Sequence, residues 1–451
     1  MPRFVPTGAA AAFLKRAGTV SGFTMLSRAS GFLRDVVLAA VLGAGPLADA
    51  FFIALRLPNH FRAIFAEGAF NSAFVPTYAG QLERVGQQAA LISAGRIAGA
   101  LTAIMAILLI AAEIWTRPFL VLLTPDFGKD PVLGDLTVAL TRITFPYLTC
   151  VTAVTVMGAV LNAHQRFAAA AAAPILFNLG VVVALGLVAA LGVAKGEVPA
   201  YAAAIGVTVA GFAEILLLVL ALGRAGLDLR LRMPTLDPAF RTFLKRLGPA
   251  VIGSGASQIA MFVDTIVAAS LPVGAVSALY YADRLYQLPI GVIGVAVGTV
   301  LLPELARRIA ADDEAGARRA QGRAVFWSAV LTLPFVLAFL FVPKLLVALA
   351  FERGAFHADA ADRAGLTLQA YAFGLMAIVL LRSVVSGFHA RGDTTTPMFV
   401  AFVAIGANVV LKLLLTERYD VVGLAAATSA GAWINLLLLV LLEARRRSRA
   451  E

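Results

Sequence analysis

The residues best suited to chemistry in this 451-residue chain are arginines, in a setting where arginine is costly. The stretch Ser27–Asn71, SRASGFLRDVVLAAVLGAGPLADAFFIALRLPNHFRAIFAEGAFN, is apolar enough for two membrane helices joined at Gly43-Ala44-Gly45-Pro46. It nevertheless carries Arg28, Arg34, Arg56 and Arg62, with Asp35, Asp49 and Glu67 among them. A guanidinium at the bilayer centre costs about 2.5–3.5 kcal/mol on insertion scales, so such a group faces a cavity or a partner. Arginine stays protonated and presents a planar fork matched to carboxylate or phosphate oxygens. The chemistry that suits these residues is the capture of a large anion inside a polar cavity. Structural ion pairing, Arg34 with Asp35 or Arg62 with Glu67, and snorkelling to an interface are the competing explanations.

Spacing separates these cases in part. Arg28 and Asp35 are seven residues apart and share a helix face, whereas Arg34 joins them only if the helix bends, with Ser30-Gly31 as the bending point. Asn59 and Arg62 lie on one face, and Pro58 and Gly68 can break the second span so that backbone groups line a cavity. Arg56, soon after Asp49, reads as a structural or interfacial charge. From the second half, YYADRLYQLP brings Asp283 and Arg284 next to Tyr280 and Tyr281, and Arg382 falls in the inner half of a late span. Arg142 and Lys412 stand near outer helix ends, where snorkelling is expected. The single cysteine, Cys150, cannot form an internal disulfide, and no Cys/His spacing suggests a metal. A P-loop, a His-Glu-x-x-His zinc motif and a Gly-x-Ser-x-Gly elbow are all missing from the sequence, and no nucleophile–base pair stands out, so an enzyme is not expected.

The elements that must position these side chains are membrane helices. The chain is 60% hydrophobic and 14% charged, with a mean hydropathy of +0.88. That composition describes an all-α polytopic membrane protein, and continuous apolar runs argue against an outer-membrane barrel. About twelve spans are expected, near 17–42, 47–80, 91–115, 133–162, 170–192, 199–223, 243–271, 275–305, 322–348, 364–389, 395–416 and 421–443. With both termini cytoplasmic, the outer loops hold only Arg117, Lys129, Lys195, Lys344, Arg353, Arg363 and Arg418 of the Lys and Arg residues, which satisfies the positive-inside rule. The net charge of +11 therefore reflects topology rather than nucleic-acid binding. A six-helix lobe over 1–223 and another over 244–451 are expected, joined by a cytoplasmic amphipathic linker at 224–243 lying on the anionic inner leaflet.

The halves repeat. Leu14-Lys15-Arg16-Ala17-Gly18 recurs as Leu244-Lys245-Arg246-Leu247-Gly248, Arg56-Leu57-Pro58 answers Gln287-Leu288-Pro289, and Val75-Pro76 answers Leu302-Pro303. An even number of spans separates the copies, so the repeat is parallel, and such pairs rock against each other about a site at their interface. Where the first copy has Arg28 and Arg34, the second has Ala256-Ser257-Gln258 and Phe262-Val263-Asp264. Cationic character is thus concentrated in the first half, with Arg284 facing from the second.

SRASGFLRD, ADAFF, RLPNHFRAIFAEGAF-x-x-AFVP and YYADRLYQLPIGVIGVAVGTVLLP closely resemble the MurJ (MviN) lipid II flippases of the multidrug/oligosaccharidyl-lipid/polysaccharide exporter superfamily. The resemblance implies two six-helix lobes around a central cationic cavity, and translocation of lipid II, the undecaprenyl-diphosphate-linked peptidoglycan precursor, from the inner to the outer leaflet. It places substrate binding on Arg28, Arg34, Arg62 and Arg284, with Asp35 beside Arg34. Asp49, Asn59, Glu67, Asp283 and Arg382 stand as secondary cavity or gate candidates. Alternating access in the bacterial inner membrane is implied, with no required cofactor, room for a monovalent ion, and lipid II, membrane lipids and the cell-wall synthesis machinery as partners. Family members carry two further C-terminal spans forming a groove for the lipid tail; the residues here run to EARRRSRAE. The same fold could export another lipid-linked anionic glycan or amphiphile, and a non-transporting cell-wall scaffold is the reading from another class.

Overall fold

The computed structural model describes residues 8–62, 69–124, 131–235 and 237–450. Among these the chain is helical throughout. The first half holds α1 (Gly8–Leu42), α2 (Pro46–Arg62), α3 (Ala69–Val85), α4 (Gln87–Leu123), α5 (Pro131–Thr144), α6 (Pro146–Ala163), α7 (Ala168–Ala190) and α8 (Val198–Arg224). The second holds α9 (Pro238–Ala269), α10 (Ala275–Pro289), a π-helical turn (Ile290–Gly294), α11 (Val295–Ala310), α12 (Glu314–Phe341), α13 (Pro343–Phe351), α14 (Ala358–Ala390) and α15 (Thr395–Ala450).

Seven helices are long and apolar enough to cross a membrane among the described residues, the last of them covering Thr395–Arg446. That last helix turns sharply at Asp420 (φ 54°, ψ −140°), between the expected eleventh and twelfth spans. The spans expected at 17–42, 47–80, 243–271 and 275–305 fall on α1, on α2 with α3, on α9, and on α10 with α11, helices that carry interior charges or prolines. Along α4, Ile104, Ile107, Ile110 and Ile114 form an exposed apolar stripe. A stripe of that kind fits hydrocarbon and would be a liability in water.

By contact, the chain divides into two compact units. One comprises Met1–Leu42 and Ala50–Phe262, the other Gly43–Asp49 and Val263–Glu451. In the first unit, α3 supplies a ladder of rings to the core: Phe70 stacks on Phe74 at 4.8 Å, Phe74 on Tyr78 at 5.6 Å, and Phe243 of α9 meets both Phe70 and Phe74 edge-on. Ile97 and Leu101 of α4, Val160 of α6 and Leu218 of α8 close this core. The connection expected as a surface helix is different in kind. Residues 227–235 form no helix, helix resumes only at Pro238, and the segment is docked on α4. Arg232 N–H donates to Gly95 O at 3.0 Å. A Cβ on Gly95 would lie 2.2 Å from Arg230 O, and one on Gly99 2.1 Å from Arg232 O. Two glycines one helical turn apart therefore carve the groove that holds the connection, and its amphipathic sequence reflects one side on protein.

In the second unit α14 packs against α10, α11, α12, α13 and α15. Ala377, Val384 and Phe388 of α14 form a core with Val400, Leu436 and Leu439 of α15. Tyr281 of α10 is fully buried against Phe351 and Phe356, with ring centroids 5.0 and 5.1 Å away. The glycines of Gly291-Val292-Ile293-Gly294 lie in the π-helical turn that directly follows Pro289. Loss of the proline N–H is one physical reason for the ladder to change register there.

Gly95→Leu is expected to eject the 227–235 segment and lower stability by about 1–3 kcal/mol, the usual cost of overpacking, read as a fall in the thermal midpoint of the detergent-solubilised protein. A second expectation concerns Asp393, in the turn before α15. It accepts the Thr396 N–H at 2.9 Å and pairs with Arg446 at 2.5 Å. The Thr396 N–H, with help from Arg446, holds its carboxyl down at about 2 against the usual 3.8. A depressed carboxyl contributes stability that is present above the ordinary value and lost as pH falls through about 2. Asp393→Asn should flatten the acid limb of the unfolding profile relative to the wild type.

Candidate functional site

Each unit holds its own polar cluster at membrane depth. In the first, Arg34 stands on α1 with its neighbour Asp35. Arg34 Nε and Nη2 donate to Asp35 Oδ1 at 3.0 and 2.7 Å, and Nη1 donates to Asn178 Oδ1 on α7 at 3.0 Å. The side chains are 11% and 3% exposed. Asn178 is itself fixed: its Nδ2 donates to Ser27 O at 3.1 Å and to Ser30 Oγ at 3.0 Å. The guanidinium carbon lies 5.4 Å from the Phe177 ring centroid, and that ring packs on Tyr147 of α6 at 5.0 Å. The sequence required a bend at Ser30-Gly31 to bring Arg34 into play; instead α1 is one helix, and Gly31 makes room for α7, since a Cβ there would meet Asn178 Nδ2 at 3.4 Å. The result is a guanidinium held in a fixed plane and half neutralised, suited to receive an oxyanion without reorganising.

Arg28, two turns earlier on α1, is exposed and has no hydrogen-bond partner among the described residues. Arg62, at the last position of α2, donates through Nε to Asn59 Oδ1 at 3.1 Å, which brings together the pair expected to share a face. Glu67 lies outside the described residues. Arg56 is half-buried on α2, while Asp49, close before it, turns elsewhere.

Asp49 belongs to the second unit and is 1% exposed. Its Oδ2 accepts the Gly274 N–H at 2.6 Å and its Oδ1 accepts the Ser277 N–H at 2.7 Å. Gly274 takes φ 91°, a conformation that favours glycine, and so aims the first amides of α10 at the carboxylate. Asp49 thus caps α10 from another part of the chain. Farther along α10, Arg284 lies over the Tyr280 ring with its guanidinium carbon 4.5 Å from the centroid, and Asp283 accepts a hydrogen bond from Gln287. Arg382 of α14 is exposed, and its stem lies against Gly294 of the π-helical turn, where a Cβ would come within 2.8 Å of Arg382 Cδ.

The expectation of snorkelling needs correction for Lys412, whereas Arg142 keeps an exposed side chain. Lys412 of α15 is 2% exposed and ion-paired with Asp264 of α9. Arg142 of α5 faces Glu113 of α4 at 3.8 Å. Buried ammonium groups demand a partner, and Asp264 supplies it. At an offset of 230 residues Arg34 answers Asp264 and Asn178 answers Asn408, so the charge is inverted at the first position while the carboxamide is kept at the second. Asn178, Glu214 and the Asp264–Lys412 pair escaped the sequence reading. A lone polar residue in an otherwise apolar run, as in PILFNLGVVV and AGFAEILLLVL, was the available signal.

Long apolar helices that bury paired charges are the build of a polytopic membrane protein. The inward-facing conformation of a multidrug resistance MATE family transporter of the MOP superfamily aligns over 96% of this chain and 98% of its own, with a TM-score of 0.72 at 15% identity, a likeness of fold. A solved structure described as lipid II flippase MurJ in an inward closed conformation aligns over 94% of this chain and 86% of its own, with a TM-score of 0.78 and 26% identity. The family profile described as lipid II flippase MurJ matches residues 38–450. A probable lipid II flippase MurJ of Rhizobium meliloti (strain 1021) is 41% identical over 431 residues, covering 94% of this chain and 79% of that protein. A lipid II flippase MurJ of Burkholderia cenocepacia is 33% identical over 435 residues, covering 94% and 82%. The chain belongs to the MurJ lipid II flippase family, a family of multi-pass membrane transporters.

Asp49→Ala would strand two buried amides at the start of α10. Each hydrogen bond to a charged group is worth about 1.5–3 kcal/mol, so a loss of several kcal/mol is expected, visible as a large drop in the thermal midpoint. Asp49→Asn, which keeps one acceptor, should lose distinctly less.

Proposed function

We propose that this chain is a lipid II flippase of the bacterial inner membrane, with twelve crossings and both termini in the cytoplasm, working by alternating access. The observation that carries the reading is the Arg34 assembly: a guanidinium inside an apolar helix, restrained by Asp35, Asn178 and Phe177, in a member of the MurJ family. Lipid II presents a diphosphate, and a diphosphate presents the oxygens that an arginine fork binds with two parallel hydrogen bonds. We assign Arg28, Arg34 and Arg62 of the first unit to that diphosphate, with Asp35 holding Arg34 in plane. Within the second unit, Arg284 is assigned to substrate binding in its own right, with Asp283 and Arg382 as secondary contacts.

The energetics favour the outward direction. With the interior negative, each elementary charge of an anion moving outward gains up to about 2.3 kcal/mol per 100 mV. A cavity left with excess positive charge is drawn inward by the same field, so the return step is driven too. No nucleotide is needed for such a cycle.

The test is complementation of a conditional lipid II flippase depletion, together with in-cell accessibility of lipid II to an external reagent. Arg34→Ala, Arg62→Ala and Arg284→Ala, at normal membrane levels, are expected to reduce flipping about tenfold or more, the worth of one charge-assisted hydrogen bond. Arg34→Lys should fall in between, because an ammonium is a point charge without the fork. Undiminished flipping by the alanine variants would overturn the assignment.

A further inference from the structure

Hydroxyls inside the helices of the second unit are commonly satisfied by their own backbone. Thr367 Oγ1 donates to Arg363 O and Ser386 Oγ to Arg382 O, each at 2.8 Å, and Thr428 Oγ1 donates to Leu424 O at 3.1 Å. That is the ordinary way to bury serine or threonine in an apolar helix. Ser328 and Thr332 of α12 and Ser383 of α14 depart from it. All three are fully buried, and none of their hydroxyls has a hydrogen-bond partner among the described residues. Oε1 of Gln321 on α12, buried too, is in the same condition. Gln321, Ser328 and Thr332 are spaced by seven and four residues and so share one helix face, as do Ser383 and Gly387 on α14. These faces meet. Gly387 is so close to Gln321 that a Cβ on it would lie 2.6 Å from Gln321 Nε2 and 3.0 Å from Oε1. Toward the other end of α12, Gln369 of α14 donates through Nε2 to Leu340 O at 2.8 Å.

The two contacts fix the antiparallel register of α12 on α14. At a rise of about 1.5 Å per residue, Ser383 lies about 6 Å along the seam from Gly387, Ser328 about 10 Å from Gln321, and Thr332 about 16 Å from it. The four unpartnered oxygens therefore follow one another in the order Gln321, Ser383, Ser328, Thr332, at axial steps of about 4–6 Å. One water bridging two groups spans such a step, since two hydrogen bonds of about 2.8 Å reach it. We propose that α12 and α14 bind a file of ordered waters along this seam, held by Gln321, Ser383, Ser328 and Thr332. Buried polar groups without a protein partner are the sites that internal waters occupy. A serine or threonine hydroxyl both donates and accepts, so a row of them suits water and offers no charge for an anion or a metal ion. The file has an entrance. Gly387, against Gln321, also lines a cavity of about 190 Å³ with Arg318, Phe388, Arg391 and Arg446. From there the seam runs about 16 Å, roughly half of a hydrocarbon core about 30 Å thick. It brings water toward the middle of the membrane inside the second unit, and none of its four residues has a part in the substrate reading.

The experiment uses the full chain in lipid nanodiscs and pulsed X-ray radiolysis, which turns bound water into hydroxyl radicals that oxidise the side chains beside it. By register, Leu380 and Met376 of α14 stand opposite Ser328 and Thr332. The peptide holding them is expected to be oxidised in the wild type and to lose that oxidation in the triple variant Ser328→Ala/Thr332→Val/Ser383→Ala. Ser386→Ala, on the same helix, removes a hydroxyl already bonded to its own backbone and should leave the labelling in place. The thermal midpoint gives an independent readout. In a wet seam each hydroxyl removed strips the waters of a partner, so the triple variant melts lower than the wild type. In a dry seam the same change removes buried groups that had no partner, and the variant melts higher. No oxidation of the wild-type peptide, oxidation that persists in the triple variant, or a higher midpoint for that variant would overturn the proposal. Should the triple variant fail to insert, Ser383→Ala alone breaks the file between Gln321 and Ser328 and is expected to reduce oxidation at Met376; an unchanged yield overturns it.

Discussion

A charge inside hydrocarbon must be solvated by the protein, because nothing else is there to do it. That constraint organises this molecule, and it is met in different ways at different charges. Arg34 is met by an adjacent carboxylate, a carboxamide from α7 and an aromatic face. Lys412 is met by one acid, Asp264. Asp49 is met by no cation in direct contact but by the free amides of a helix start, which carry partial positive charge and point at it. Glu214 is met incompletely, with one oxygen unpartnered. Each solution has a different consequence. A full pair is inert, a helix cap is structural, and a partial match leaves something for a ligand or a proton to finish.

The repeat makes the contrast sharper. Two copies of one plan would start with the same polar positions. At the equivalent position on α1 and α9 the first half has Arg34 and the second has Asp264, and the partners on α7 and α15 differ to match. The second unit consumes its buried ammonium in an internal pair. Among the described residues of the first unit, Arg28 is exposed and Arg62 donates to the Asn59 carboxamide. The same position along the two halves thus carries opposite charge, and each charge is solvated by a different kind of partner.

Much of this was legible in the residues. Apolar run lengths marked where the helices lie, because a continuous hydrophobic stretch has few other uses, and the cost of burying guanidinium singled out Arg34 and Arg62. Other features were hidden for physical reasons. Whether 224–243 would be a surface helix or a segment docked in a groove depends on Gly95 and Gly99, more than 120 residues away, and composition is blind to that. The cap on α10 pairs Asp49 with backbone amides, which have no signature in side-chain chemistry. Lys412 looked like an interfacial residue because its partner lies on another helix. Glu214 stands alone in an apolar run and lacks the clustering that marks the arginines, although a single buried acid is the same kind of signal.

The Asp49 cap also sits where the chain changes unit. Residues 43–49 cluster with the second unit although they join α1 to α2, whose other residues from Ala50 onward cluster with the first. They are fastened there by more than the cap. Tyr281 Oη donates to Gly43 O at 3.1 Å, and Gly43, at φ 70°, lies so near Ala355 that a Cβ would come within 2.5 Å of its carbonyl oxygen. α2 therefore begins in one unit and, four residues later, belongs to the other, with Arg62 at its far end. One helix thus begins at a buried carboxylate that caps α10 and ends at Arg62 on the Asn59 carboxamide, so that a structural charge and a much less confined one are solvated by opposite ends of the same short element.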